Sequence, residues 1–79
     1  MMNRQWGRAN YSTQRVDDNV AGSSSIVLYR VLDLETRKVA AITFWDACGQ
    51  FVVETFQTDI PLEIMEVLVS EAKEQIRIR

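Results

Sequence analysis

The chain's only cysteine lies within residues 45–51, beside a tryptophan, a carboxylate and a glycine. A cysteine nucleophile needs a base to form its thiolate, most often a histidine, and the chain has no histidine. Asp46 followed three residues later by Gly49 is instead the pattern that a type I turn prefers. Gly49 can also take the positive φ of a bulge that rejoins a strand. The stretch around Cys48 therefore predicts a chain reversal and not a thiol active site.

The remaining groups with catalytic potential are scattered carboxylates. Glu54 falls inside a predicted strand, and Asp17 and Asp18 lack the spacing of a calcium-binding loop. An acid–base pair would need two carboxylates across a cleft, which so small a domain could form only between two subunits. The three glycines are isolated and form no phosphate loop, and one cysteine without histidine makes no usual zinc site. We therefore expect no enzyme activity, cofactor or metal; a carboxylate base in a dimer cleft is the least favoured alternative.

Arginines and aromatic residues alternate near the start of the chain. Arg4, Trp6, Arg8 and Tyr11 combine cations with rings that can stack on bases, which is how many proteins hold single-stranded nucleic acid. The formal net charge of the chain is −2, however, whereas nucleic-acid binding usually needs a basic surplus. The same rings could simply pack this segment onto a sheet, and the acidic composition favours that interpretation. Nucleic-acid binding is thus the alternative hypothesis.

Length and composition indicate one small domain that benefits from a partner. At 79 residues, 47% of them hydrophobic, the chain is an ordinary globular domain with little surface to bury. Domains of this size often add a disulfide, a metal or a second subunit, and a single cysteine excludes an intrachain disulfide. A lone free cysteine favours a reducing compartment. With no secretory signal and no apolar run near the roughly 20 residues of a membrane span, we expect a cytoplasmic protein without membrane contact.

Hydrophobic periodicity separates a polar segment from a structured remainder. Residues 1–22 are rich in Asn, Gln and Arg, which predicts either a loose arm or an added edge strand. Three β-branched, apolar runs with short connections follow, and they predict an antiparallel meander. These runs cover residues 25–32, 39–45 and 50–56.

A C-terminal helix completes the predicted domain. Asp59 suits the N-cap, and Pro61 lies where its missing N–H costs nothing. One apolar stripe recurs at helical spacing and contains Ile64, Met65, Leu68, Val69, Ala72 and Ile76. We therefore predict an α+β domain over residues 23–79: a three-stranded antiparallel meander, with a fourth N-terminal strand as an option, packed on one helix.

Both faces of the predicted sheet carry large apolar side chains, and one helix can cover only one face. Strict alternation puts Phe44 on one face and Val39, Ala41 and Trp45 on the other. An uncovered apolar face indicates a subunit interface, most often in a two-fold homodimer. Since the hairpin register is not fixed by the sequence, the predicted interface draws on both faces: Tyr29, Val39, Ala41, Phe44 and Trp45. The leading hypothesis is a small non-enzymatic interaction or regulatory module that is a homodimer and binds another protein.

Overall fold

A computed structural model of the protein describes residues 2–56 and 59–76. Over these ranges it contains one antiparallel sheet of five strands and one helix, and the order of strands in the sheet follows the sequence. This confirms the α+β meander with a C-terminal helix and corrects its size, since three strands with an optional fourth N-terminal strand were predicted. The elements are β1 (Asn3–Trp6), β2 (Ala9–Asp18), β3 (Ser23–Leu32), β4 (Glu35–Trp45), β5 (Gln50–Thr55) and α1 (Leu62–Gln75).

The polar N-terminal segment supplies the two additional strands. β2 pairs with β3 over most of its length, from Asn10 opposite Val31 to Asp18 opposite Ser23. Tyr11, on β2, is only 3% exposed and belongs to the main core. A sheet with one solvated face needs apolar residues at only every second position, which is why so polar a segment can form a strand. β3 is consequently an interior strand.

The helix α1 packs on one face of the sheet, and we call this the helix side. Ile64, Leu68 and Ala72 are the buried residues of α1, and they meet Ile26 and Leu28 of β3 in the core. The predicted apolar stripe is therefore confirmed. The predicted N-cap is wrong: Pro61 occupies the cap position, with an extended ψ of 136° and no side-chain capping bond. No helix in the described ranges is long and apolar enough to cross a membrane.

A β-bulge determines which residues of β4 face the helix. Leu28 lies opposite Ala40, but the next residue, Tyr29, lies opposite Lys38, so Val39 is an extra residue in β4. Val39 is 1% exposed and lies in the core on the helix side. Strict alternation had placed it on the opposite face. The prediction for Val39 was wrong because alternation fails wherever two residues oppose one.

Candidate interaction surface

The turn between β4 and β5 reverses the chain, as the sequence predicts. The Trp45 carbonyl oxygen accepts hydrogen bonds from the backbone N–H groups of Cys48, at 3.2 Å, and Gly49, at 2.8 Å. The turn thus begins at Trp45, one residue earlier than predicted. Gly49 has a φ of 64°, in the left-handed region that favours glycine. Cys48 is exposed, and its position is explained by the turn.

Replacing Cys48 should have little effect, whereas replacing Gly49 should not. We expect Cys48→Ser to unfold with a free energy within about 0.5 kcal/mol of the parent, as for other exposed substitutions. Gly49→Val should lose about 1–3 kcal/mol, because a β-branched residue is strained at positive φ although its Cβ would meet no neighbour. Urea unfolding followed by tryptophan fluorescence measures both. A Cys48→Ser variant that folded normally but lost partner binding would contradict the turn interpretation.

The four arginine and aromatic residues near the N-terminus lie close together, with Arg4 directly opposite Tyr11, but they differ in accessibility. Arg4 Nη2 lies 2.7 Å from Oε1 of Glu63 on α1, and Arg8 Nη2 lies 3.1 Å from Oδ1 of Asp33. The side chain of Tyr11 is buried in the core, so its ring is not accessible for stacking on a base. Trp6 is 42% exposed. These contacts fasten β1 to the rest of the domain.

A hydrogen-bonded cluster that sequence reasoning missed joins α1 to β2 and to Met2, the residue before β1. The Thr13 hydroxyl donates to Oε1 of Glu71 at 2.6 Å. The backbone N–H of Met2 lies 2.8 Å from the Thr13 hydroxyl oxygen and 3.1 Å from Oε2 of Glu71. Because the partners are 58 and 69 residues apart in the chain, local patterns could not reveal them. The cluster positions the helix and leaves the other sheet face uncovered.

The face away from α1, which we call the open face, has a polar half and an apolar half. Its polar half lies on β1 and β2, since residues that oppose each other share a face. It carries Asn3, Gln5, Asn10, Ser12, Gln14 and Asp18, and one exposed apolar residue, Val16. The apolar half lies on β3, β4 and β5. Its apolar residues are Val27, Tyr29, Val31, Ala41, Trp45, Val52 and Phe56.

The apolar half has small residues at its centre and larger ones around them. Val27 and Ala41 are opposed across β3 and β4, and each is only 6% exposed. Next to them the hydroxyls of Ser25 and Thr43 lie 2.8 Å apart and satisfy each other. Trp45, by contrast, is 38% exposed at one end of this area. The arrangement offers aromatic and aliphatic contact area around the paired hydroxyls of Ser25 and Thr43, with Glu54 opposite Ala41 at its β5 side.

The five residues predicted at a dimer interface lie on two different faces. Tyr29, Ala41 and Trp45 belong to the open face. Val39 and Phe44 lie in the core on the helix side, where the ring of Phe44 is 5.0 Å from that of Phe51. Of the three on the open face, Tyr29 and Trp45 are accessible to another chain, whereas Ala41 between them is only 6% exposed.

The described residues contain no group of three or more His, Cys, Asp or Glu side chains arranged to hold a metal ion. Comparison of the chain with protein-family models, with curated proteins and with solved structures found no significant match. The open face is therefore interpreted from its own chemistry.

Proposed function

We propose that the protein is a small non-enzymatic interaction module that acts as a homodimer. The contact between the two copies is assigned to the apolar half of the open face, centred on Tyr29, Ala41 and Trp45. The observation that carries this proposal is an apolar surface on the side of the sheet that the single helix leaves uncovered.

Exposure of large side chains supports this assignment. Trp45 and Phe56 are each 38% exposed, and Val52 is 44% exposed, all on the same half of the open face. Monomeric proteins seldom expose large contiguous apolar patches. Aromatic side chains are enriched at the centres of protein–protein interfaces. The polar residues of β1 and β2 would then form one side of a rim. Face-to-face packing of two such sheets is a common architecture, with the sheets about 10 Å apart.

A charged residue at the proposed contact should separate the subunits. Trp45→Glu would bury a carboxylate against apolar side chains of the second copy, where it has no partner, so we expect the dimer to weaken by at least tenfold. Val20→Glu is the matched control, because Val20 is a fully exposed residue of the β2–β3 turn. Sedimentation equilibrium at micromolar concentration measures the mass of both variants and of the parent.

The proposal has two ways to fail. A parent protein that sediments as a folded monomer would exclude the homodimer. A Trp45→Glu variant that stays dimeric, together with a Val52→Glu variant that does so too, would move the contact to another surface. Circular dichroism of each variant shows that any dissociation occurs with the subunit fold intact.

A further inference from the structure

The outer edge of β5 has backbone groups available for pairing with another strand. The Phe56 N–H donates to the Val39 carbonyl oxygen at 3.1 Å, so these two residues form a hydrogen-bonded pair. Such pairs alternate with non-hydrogen-bonded pairs along an antiparallel ladder. With the register of β5 on β4, the residues whose N–H and C=O groups point away from the sheet are therefore Phe51, Val53 and Thr55. Within the described residues, no other segment bonds to these groups.

The edge of β5 lacks the protection that the opposite edge carries. β1 spans only four residues and includes Arg4, and beyond it β2 presents Arg15 and Asp17, whose side chains lie 3.1 Å apart in an ion pair. The Ser24 hydroxyl, together with Arg15, holds the pKa of Asp17 below its usual value. Charges and short length are the usual obstacles to strand addition. β5 has six residues without Lys, Arg or Pro, and its Val53 is 52% exposed.

A shallow cavity lies at the end of β5 on the helix side. It has a volume of about 340 Å³ and is lined by Thr55, Asp59, Ile60, Leu62 and Met65. Thr55 points to this side because it opposes Ala40, a core residue. A residue of an added strand that opposed Thr55 would point to the same side, towards the cavity. The apolar lining suits an aliphatic side chain there.

The charges along the β5 edge indicate which side chains an added strand should carry. Glu54 lies on the open face of β5, and Asp59 lies in the cavity wall. In the described part of the chain, neither carboxylate has an ion-pair partner. Lys38, on the neighbouring strand, lies over the ring of Phe56 at 6.0 Å from its centroid. An added strand would thus meet a mostly apolar cavity with the Asp59 carboxylate in its wall on the helix side, and the Glu54 carboxylate on the open face.

We infer that the β5 edge and its cavity bind an extended segment of a partner protein in which aliphatic and basic residues alternate. The segment adds antiparallel to β5, its backbone bonds to Phe51, Val53 and Thr55, and an aliphatic side chain enters the cavity. The neighbouring basic side chain faces Glu54. Main-chain bonds supply affinity and side-chain positions supply specificity in this mode of recognition. The inference rests on the proposed function, because it names the partner of the interaction module.

The test uses an end-blocked, fluorescently labelled peptide of eight residues in which isoleucine and lysine alternate. Fluorescence anisotropy should show saturable binding to the full-length protein. Val53→Pro should weaken binding at least tenfold, because it removes an outward N–H that makes no bond to β4. Val53→Ala is the matched control, since it shortens the side chain but keeps the N–H. Glu54→Lys should weaken binding of the lysine peptide. It should strengthen binding of an otherwise identical peptide in which glutamate replaces each lysine.

Several results would overturn the inference. Equal peptide binding to Val53→Pro and Val53→Ala would exclude strand addition. If a peptide with its isoleucines and lysines in separate blocks bound as tightly as the alternating peptide, net charge alone would explain the binding. If Val53→Pro misfolded by circular dichroism, the Glu54→Lys charge reversal would decide alone. Dissociation of the unliganded dimer by Val53→Pro but not by Val53→Ala would assign this edge to a second copy. Failure here leaves the Trp45→Glu test of the open face unaffected.

Discussion

Deleting residues 1–16 is expected to abolish cooperative folding. The deletion removes β1 and most of β2, and with them the buried side chains of Met2, Ala9 and Tyr11. It also leaves β3 as an unpaired edge. Ile26 and Leu28 of β3, which are fully buried in the intact chain, would lose their packing against β2. Loss of one large core side chain alone costs about 3–5 kcal/mol, and small domains have only about 5–15 kcal/mol of stability in total. Thermal melts by circular dichroism should show no sigmoidal transition.

The matched control keeps both strands and removes only two arginine side chains of this segment. A full-length chain with Arg4→Ala and Arg8→Ala loses two surface ion pairs, which contribute at most about 1 kcal/mol each. It should therefore melt cooperatively. If the shortened chain also melted cooperatively, β1 and β2 would be dispensable additions to the domain, contrary to the burial of Tyr11.

Leu68→Ala should destabilise the protein by about 2–5 kcal/mol, the range measured when a buried leucine is truncated and leaves a cavity. Leu68 is fully buried where α1 meets the sheet. Leu62 is the matched control in the same helix, because it is 73% exposed and its replacement by alanine should change stability by less than about 0.5 kcal/mol. The midpoints of urea unfolding curves compare the two. Similar losses for both variants would contradict the packing of α1 on the sheet.

Local sequence patterns were sufficient to predict the strands and the helix whose apolar residues recur at regular spacing. The apolar runs that became β3, β4 and β5 are β-branched and separated by short turns, and the stripe of α1 repeats at helical spacing. The segment that forms β2 was predicted as either a loose arm or an edge strand, because its residues are mostly polar and its pairing depends on β3. The sequence favoured packing of the Tyr11 ring onto a sheet but did not indicate that Tyr11 is a core residue. Its burial comes from a face that exists only once the sheet has formed.

The surface was predicted less well than the fold, and geometry explains why. Faces in a sheet depend on register, so the bulge at Val39 moved one predicted interface residue into the core. Phe44 was included in the predicted interface only because the register was unknown. The role of Val53 depends on β5 being the last strand of the sheet, which requires the full strand order. Sequence alone therefore indicated that a surface was left uncovered but not where it lay.

The strictly sequential strand order has a consequence for how the chain folds during synthesis. Every strand pairs with its neighbour in sequence, so each hairpin can form as soon as it leaves the ribosome. Proteins with such local pairing fold quickly. The helix is made after all five strands, and until it docks the apolar row of Ile26, Leu28 and Ile42 has no cover. We expect the nascent sheet to be most prone to aggregation, and most dependent on chaperones, in this interval.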